Sequence, residues 1–251
     1  MPSGTPISSH PSSTSSSTTY SFEEFLRGWG HRLELLSAEI AAVVETKLGD
    51  ENQIQELEAR QLIARALGHF EEYYEHKSRA VYLDGYSLFS PTWCSSLEFS
   101  FLWVAGFRPR VLLHLVADSV RDLTPDQTRA LDRLKRETRK NEKMVEDELA
   151  RIQETIGAPP LMDAIREAAW LTDRQSFEAT SEPILQLREA LKAVIANADT
   201  LRVTTGAKVA EILNPIQCLR FLVAAFKLLQ GMKSCGIERD NLAGRDSQRN
   251  T

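Results

Sequence analysis

Five histidines and three cysteines are the residues of this chain best suited to ligating a metal or attacking a carbonyl, and their spacing favours neither. His69 and His76 share a helical face, but two turns separate them, so both read as ordinary surface or satisfied side chains. His31 and His114 are dispersed, and His10 falls in a Ser-rich segment. A di-iron bundle needs paired Glu-x-x-His motifs. The nearest candidate, Glu72 with His76, has the wrong spacing and no mate. Cys94, Cys218 and Cys235 form no CxxC pair; two sit in apolar segments and read as inert, reduced thiols of an intracellular protein. The carboxylate runs Glu23-Glu24, Glu71-Glu72 and Glu146-Asp147-Glu148 belong to charged helix faces. The sequence contains no GxGxxG, GxxxxGK[ST], HExxH or GxSxG. It is read as a non-catalytic chain without a metal site.

One further cluster has the makings of a binding site. The stretch from Pro91 to Val116 packs Trp93, Leu97, Phe99, Phe101, Trp103 and Phe107 into one short run, with Arg108 beside a Gly-Phe turn. A helix apolar on nearly every side must be buried on nearly every side, so a central core helix is expected here, broken at Gly106 and Pro109. The rival use of the same aromatics is a pocket lined by Trp93, Phe99, Trp103, Phe107 and Arg108, with room for a lipid or a tetrapyrrole. Ser95, Ser96 and Glu98 interrupt the run, and it is too short to cross a bilayer.

The elements that must hold this stretch are helical. Ser21 with Glu24 three residues on forms a capping box. Phe22, Phe25, Leu26, Trp29, Leu33, Leu36 and Ile40 follow at three- and four-residue steps. A second helix of about thirty residues starts near Gln53 and reaches Val81. Thr124 as cap and Pro125 at the first helical position open another, whose narrow stripe from Leu131 through Leu134, Val145 and Ile152 to Ile156 resembles a coiled-coil seam and would allow a homodimer. Gly157 and Pro159-Pro160 stop it. Further helices are expected over Leu161–Phe177 and from Glu182 to about Ala196; a segment from Ala198 to Leu213 follows, and Asn214-Pro215 starts a last helix. No stretch alternates in the manner of a strand. The fold expected is all-α, a single helical-bundle domain of seven or eight helices over residues 20–235. A disordered Ser/Thr-rich tail (1–19) precedes it and a polar tail (236–251) follows it.

Composition bounds the function. The chain has 251 residues, enough for a core without staples, and a net charge of −5 with a pI near 5.7, so nothing advertises a general attraction to nucleic-acid phosphates. No apolar N-terminal core suggests a signal peptide, and no window reaches a membrane span. A protein of nucleus or cytoplasm is expected.

Three blocks carry a resemblance: HFEEYYEHKSRAV (69–81), PTWCSSLEFSFLWVAGFRPRVLLHLV (91–116) and LTPDQTRALDRLKRETRKNEKMVEDELARIQETI (123–156). In this order they resemble the delay-of-germination (DOG) domain of plants, and ADTLRVTTGAKVAEILNPIQCLRFLVAAFKLL (198–229) is similar to its closing segment. That domain occurs in seed-dormancy proteins and, behind a basic leucine zipper, in TGA transcription factors. The resemblance implies a regulatory interaction module in signalling or transcription, linked to seed dormancy, germination or development. It also implies partners such as protein phosphatases, met through the first helix at Phe22, Phe25 and Trp29, or bZIP transcription factors. The chain shows no basic region or zipper of its own, so direct DNA contact is not expected. Dormancy-type members are described as binding haem through two histidines four residues apart. The corresponding positions here are Leu229 and Lys233, neither an axial ligand, and no cofactor is expected.

Overall fold

The computed structural model describes residues 21–46, 53–170 and 181–249. Eight helices and no strand occur among them: α1 (Phe22–Thr46), α2 (Gln53–Leu83), α3 (Ser96–Ser100), α4 (Arg110–Ser119), α5 (Pro125–Ile156), α6 (Pro159–Trp170), α7 (Glu182–Ile212) and α8 (Pro215–Arg249). The expected tail over residues 1–19 lies outside the described residues. No described helix is long and apolar enough to cross a membrane.

Local chemistry places several starts where the sequence reading put them. Ser21 Oγ accepts from the Glu24 N–H at 3.3 Å. Thr124 and Gln127 form a reciprocal capping box, with Pro125 in the first turn. Asn214 and Gln217 exchange the same pair of bonds at the start of α8, at 3.0 and 2.8 Å. Gln217, fully buried, also donates to the Asp122 carbonyl at 3.0 Å, so one amide closes both the α4–α5 and the α7–α8 corners.

Three apolar clusters make the interior. The largest joins Leu33, Leu36 and Ile40 of α1 with Leu62 and Ala66 of α2, Leu113 and Val116 of α4, and Leu219, Leu222 and Phe226 of α8. A second sets Val145 and Ile152 of α5 on Leu191, Val194 and Ala198 of α7. A third gathers Phe22, Val81, Leu88 and Ile195, with Trp93 against them. The stripe of α5 expected as a dimer seam is therefore used inside the chain: Leu134, Thr138, Glu142, Val145 and Ile152 are buried, and α5 lies along α7.

The stretch at Pro91–Val116 departs from the expected central helix. Ser95 and Glu98 form a capping box that starts α3, which ends after five residues, and residues 101–109 are irregular. The carbonyls of Trp103, Val104 and Phe107, which a continuing helix would offer to its own N–H groups, accept instead from Arg202. Phe99 and Phe101 are 49% and 57% exposed, so the aromatic run is divided between interior and surface. Two other boundaries differ. The helix expected to end near Ala196 runs on through the segment Ala198–Leu213 to Ile212, because no breaker intervenes and the buried positions Leu191, Ile195, Ala198, Leu201, Thr205 and Val209 keep helical spacing across the join. The segment from Gly236, expected as a tail, continues α8 to Arg249. Its Asp240 accepts from the Ser96 N–H at 2.9 Å.

Candidate functional site

The residues that chemistry would single out converge on the turn between α3 and α4. Trp103 and Gly106 exchange backbone hydrogen bonds of 2.6 and 3.2 Å, and between them Val104 and Ala105 take φ of 43° and 57°. Left-handed backbone costs an L-residue roughly 1–2 kcal/mol, and a β-branched valine is among the least tolerant. Such a turn persists only where its surroundings hold it.

Arg202 of α7 is what holds it. Its guanidinium donates to the carbonyls of Phe107 (2.7 Å), Val104 (2.9 Å) and Trp103, and to Asp199 one turn earlier. The approach is close enough that a Cβ on Gly106 would lie 2.9 Å from the Arg202 Cζ, which is the reason for glycine at that position. Behind it, Lys77 of α2, almost fully buried, donates to Asp199 at 2.7 Å. Burial pushes the Lys77 ammonium down to about 8, with Asp199 opposing. Burial likewise raises the neighbouring phenol of Tyr74 to about 12 and that of Tyr73 well above its ordinary range.

Two carboxylates of α5 grip the other side of the turn. Glu142, with no exposed surface, accepts from the Arg110 backbone N–H at 2.8 Å and from its Nε at 2.6 Å, so it caps the first turn of α4 and neutralises Arg110 together. Glu146 accepts from the Trp103 indole at 3.1 Å and from Arg108, whose guanidinium lies 5.4 Å from the Trp103 ring centroid. The block Trp103–Arg110 is thus a polar clamp joining α2, α5 and α7. Its charges are paired in place rather than poised for a reaction.

The aromatics expected to line one pocket fall in separate surroundings. Trp93 meets Phe22 edge to face at 5.5 Å, Phe99 faces solvent, Trp103 and Phe107 belong to the clamp, and Arg108 is paired with Glu146. The first-helix trio turns toward α2. Phe22 is buried against Tyr73 and Trp93, Phe25 stacks on His76 at 3.8 Å, and Trp29 stacks on His69 at 4.7 Å while its indole donates to the His69 carbonyl at 2.9 Å. His69 and His76 therefore serve as flat packing partners two turns apart. Burial lowers the His69 pKa, and its Nε2 is buried without a hydrogen-bond partner. Leu229 packs on the main core and Lys233 is exposed beside Gly30, so no axial pair stands at those positions.

Two hollows open elsewhere. One, of about 330 Å³, runs between α2 and α7 and is lined by Tyr74, Ser78, Val81, Ile195, Asp199 and Val203 among others. The other, of about 490 Å³, lies over α5 and the start of α4, lined by Arg110, Arg136, Arg139, Lys140, Lys143 and Glu146. Sequence reasoning missed Lys77, Glu142 and Arg202. The one available signal was Arg202 standing on the apolar face of ADTLRVTTG, three residues after Asp199, where a cation has to be paired.

The profile of the family described as DOG1, seed dormancy control, matches residues 41–118. Protein ZW2 of Arabidopsis thaliana is 34% identical over 230 residues, 89% of this chain and 99% of that protein. Protein RESPONSE TO ABA AND SALT 1 of the same plant is 33% identical over 210 residues, 82% of this chain and 90% of its own length. Transcription factor TGA7, also of Arabidopsis thaliana, is 25% identical over 224 residues, and there the match spans 89% of this chain but 58% of the longer protein.

Proposed function

This chain belongs to the DOG1 family of seed-dormancy-control proteins, and from that premise we propose that it is a non-catalytic regulatory module that works by binding partner proteins in signalling or transcriptional control. One observation carries the reading. The same stretch makes up nearly the whole of ZW2 and a little over half of TGA7, a transcription factor, so the domain is portable between a free-standing chain and a larger regulator. The internal pairing of the charged turn residues supports the same view, because it leaves contact, rather than bond-making, as the use of the surface. The partners proposed are protein phosphatases or bZIP transcription factors. DNA would be reached only through such a partner, and the place of action is nucleus or cytoplasm. Dormancy, germination or a related developmental step is the process proposed.

The contact surface proposed is the outer edge of α1. Phe22 is committed to packing and Phe25 and Trp29 are half-buried against α2, whereas Glu24 and Arg27 of the same helix are exposed. The test is affinity purification from plant tissue followed by mass spectrometry, comparing the natural chain with Glu24→Arg/Arg27→Glu. That exchange preserves net charge and leaves every ring stack in place. Recovery of a phosphatase or bZIP factor with the natural chain, and its loss with the exchanged one, is expected. Crosslinked extracts that yield the natural chain alone would overturn the reading.

A further inference from the structure

We infer that the hollow over α5 and the start of α4 binds a compact polyphosphorylated anion, an inositol polyphosphate free in solution or the same group on a lipid. Five of its six lining side chains are cations, inside a chain whose net charge is −5. The sixth, Glu146, does not neutralise them, because it is already engaged by Arg108 and the Trp103 indole. Arg110 is tied to Glu142 and Lys143 to Asp147, but among the described residues no carboxylate pairs with Arg136, Arg139 or Lys140. Arg136, Lys140 and Lys143 stand at steps of four and three on one face of α5, a span of about 10 Å. An ordinary solvated helix alternates its charges. Here three unpaired cations converge with Arg110 on one concavity, and that leaves a positive potential that no carboxylate among the described residues pairs with.

The shape selects the class of anion. A volume of about 490 Å³ is that of a single small-ligand site, not of a track for a duplex. Beyond the hollow the exposed charges of α5 are mixed, Asp132, Glu137 and Glu154 among Arg133, Lys135 and Arg151, so no cationic track continues for a phosphate backbone running along the helix. Phosphates clustered on a small ring offer charge in several directions at once, and the guanidinium forks of Arg136 and Arg139 match phosphate oxygens two at a time.

The test is titration calorimetry of the full chain with inositol hexakisphosphate at about 150 mM salt. One ligand per chain is expected. In Arg136→Gln/Arg139→Gln/Lys140→Gln, all exposed positions, affinity should fall by at least about tenfold, with the helical circular-dichroism signal unchanged. Arg133→Gln/Lys135→Gln removes charge from exposed positions of α5 outside the lining and should leave affinity within about twofold. Sedimentation with phosphatidylcholine vesicles, with and without phosphatidylinositol bisphosphate, distinguishes the sources. Capture by the doped vesicles assigns the lipid, and hexakisphosphate binding without capture assigns the free ligand. Absence of heat, equal loss in both sets of variants, or tighter binding of a polyglutamate peptide or a DNA duplex than of the hexakisphosphate would overturn the inference.

Discussion

Removing the Arg202 guanidinium is the sharpest test of how this fold is held. The side chain is 6% exposed and donates to three backbone carbonyls and one carboxylate. Asp199 keeps Lys77 as its partner, so losing the Arg202 bond to it costs about 1.5–3 kcal/mol, and each buried carbonyl left without a donor adds about 1–3 kcal/mol if no water reaches it. Against this, the freed turn can abandon its left-handed conformation at Val104 and Ala105, recovering about 1–2 kcal/mol per residue. Water entering beside the half-buried Trp103 offsets part of the carbonyl loss. The balance is a loss of about 4 kcal/mol for Arg202→Ala, a large share of the 5–15 kcal/mol that holds an ordinary domain. Arg202→Lys keeps the charge, but a single ammonium cannot reach all four acceptors, and a loss of about 2 kcal/mol is expected. Urea unfolding followed by far-ultraviolet circular dichroism gives the free energies, and tryptophan emission shows whether Trp103 becomes wetter in the folded state. If Arg202→Ala stayed within about 1 kcal/mol of the natural chain, the turn would be held by something other than this cation.

Three other outcomes follow from the same geometry. Gly106→Ala sets a Cβ 2.9 Å from an Arg202 that cannot retreat, and should cost about 1–3 kcal/mol by urea unfolding; Gly157→Ala, with no atom nearer than 3.8 Å, should cost less than about 1 kcal/mol. Lys77, held near 8 by burial against an ordinary 10.5, sheds its proton on folding above pH 8. The Lys77 contribution should therefore rise by about 1.5 kcal/mol between pH 8 and about 9.5, and it is lost again as pH falls back through 8. The thiols of Cys94 and Cys218, pushed up to about 11 by burial, and the phenols of Tyr73 and Tyr74 oppose it, so the gain is read as the difference between the natural chain and Lys77→Met, and no pH dependence in that difference would refute the assignment. His69 is neutral in its stack, with its pKa lowered chiefly by burial, so its contribution is present above pH 6.5 and lost as pH falls below it. Thermal melts between pH 7 and about 5.5 should fall by a few degrees more in the natural chain than in His69→Phe, which keeps a flat ring on Trp29.

The helices were legible wherever a local signal was strong. Thr124, Pro125 and Gln127 announce α5 because the cap is a short-range structure whose members are three residues apart. The stripe through Leu134, Val145 and Ile152 was legible as a buried face, yet periodicity cannot say which surface covers it, and α7 of the same chain takes the place a second copy would have filled. The stretch Pro91–Val116 was misread because apolar content alone suggests burial. A remote arginine, about a hundred residues on, withdraws the carbonyls a helix would need there. Likewise the contacts of Phe22, Phe25 and Trp29 with Tyr73, His76 and His69 of α2 cannot be read from the helical spacing of α1. Those partners are ordinary residues in the sequence and become informative only through pairing in space.

The division of labour between interior and surface bears on how such a domain can serve different partners. Trp103, Arg108 and Arg110 are bound to Glu142, Glu146 or Arg202, so substitution there acts first on stability and only afterwards on contact. Glu23, Glu24 and Arg27 on α1, and Arg136, Arg139 and Lys140 on α5, are exposed and take no part in the apolar clusters. Exchanging such residues changes stability by little more than about 0.5 kcal/mol, while it can invert the charge offered to a partner. At 25–34% identity, relatives of this chain have room to change such exposed charges while the buried positions are kept. On this view partner choice is carried by the few charges that the fold does not need. A chimera that moves only the exposed α1 and α5 residues of a relative onto this interior should then bind the relative's partners.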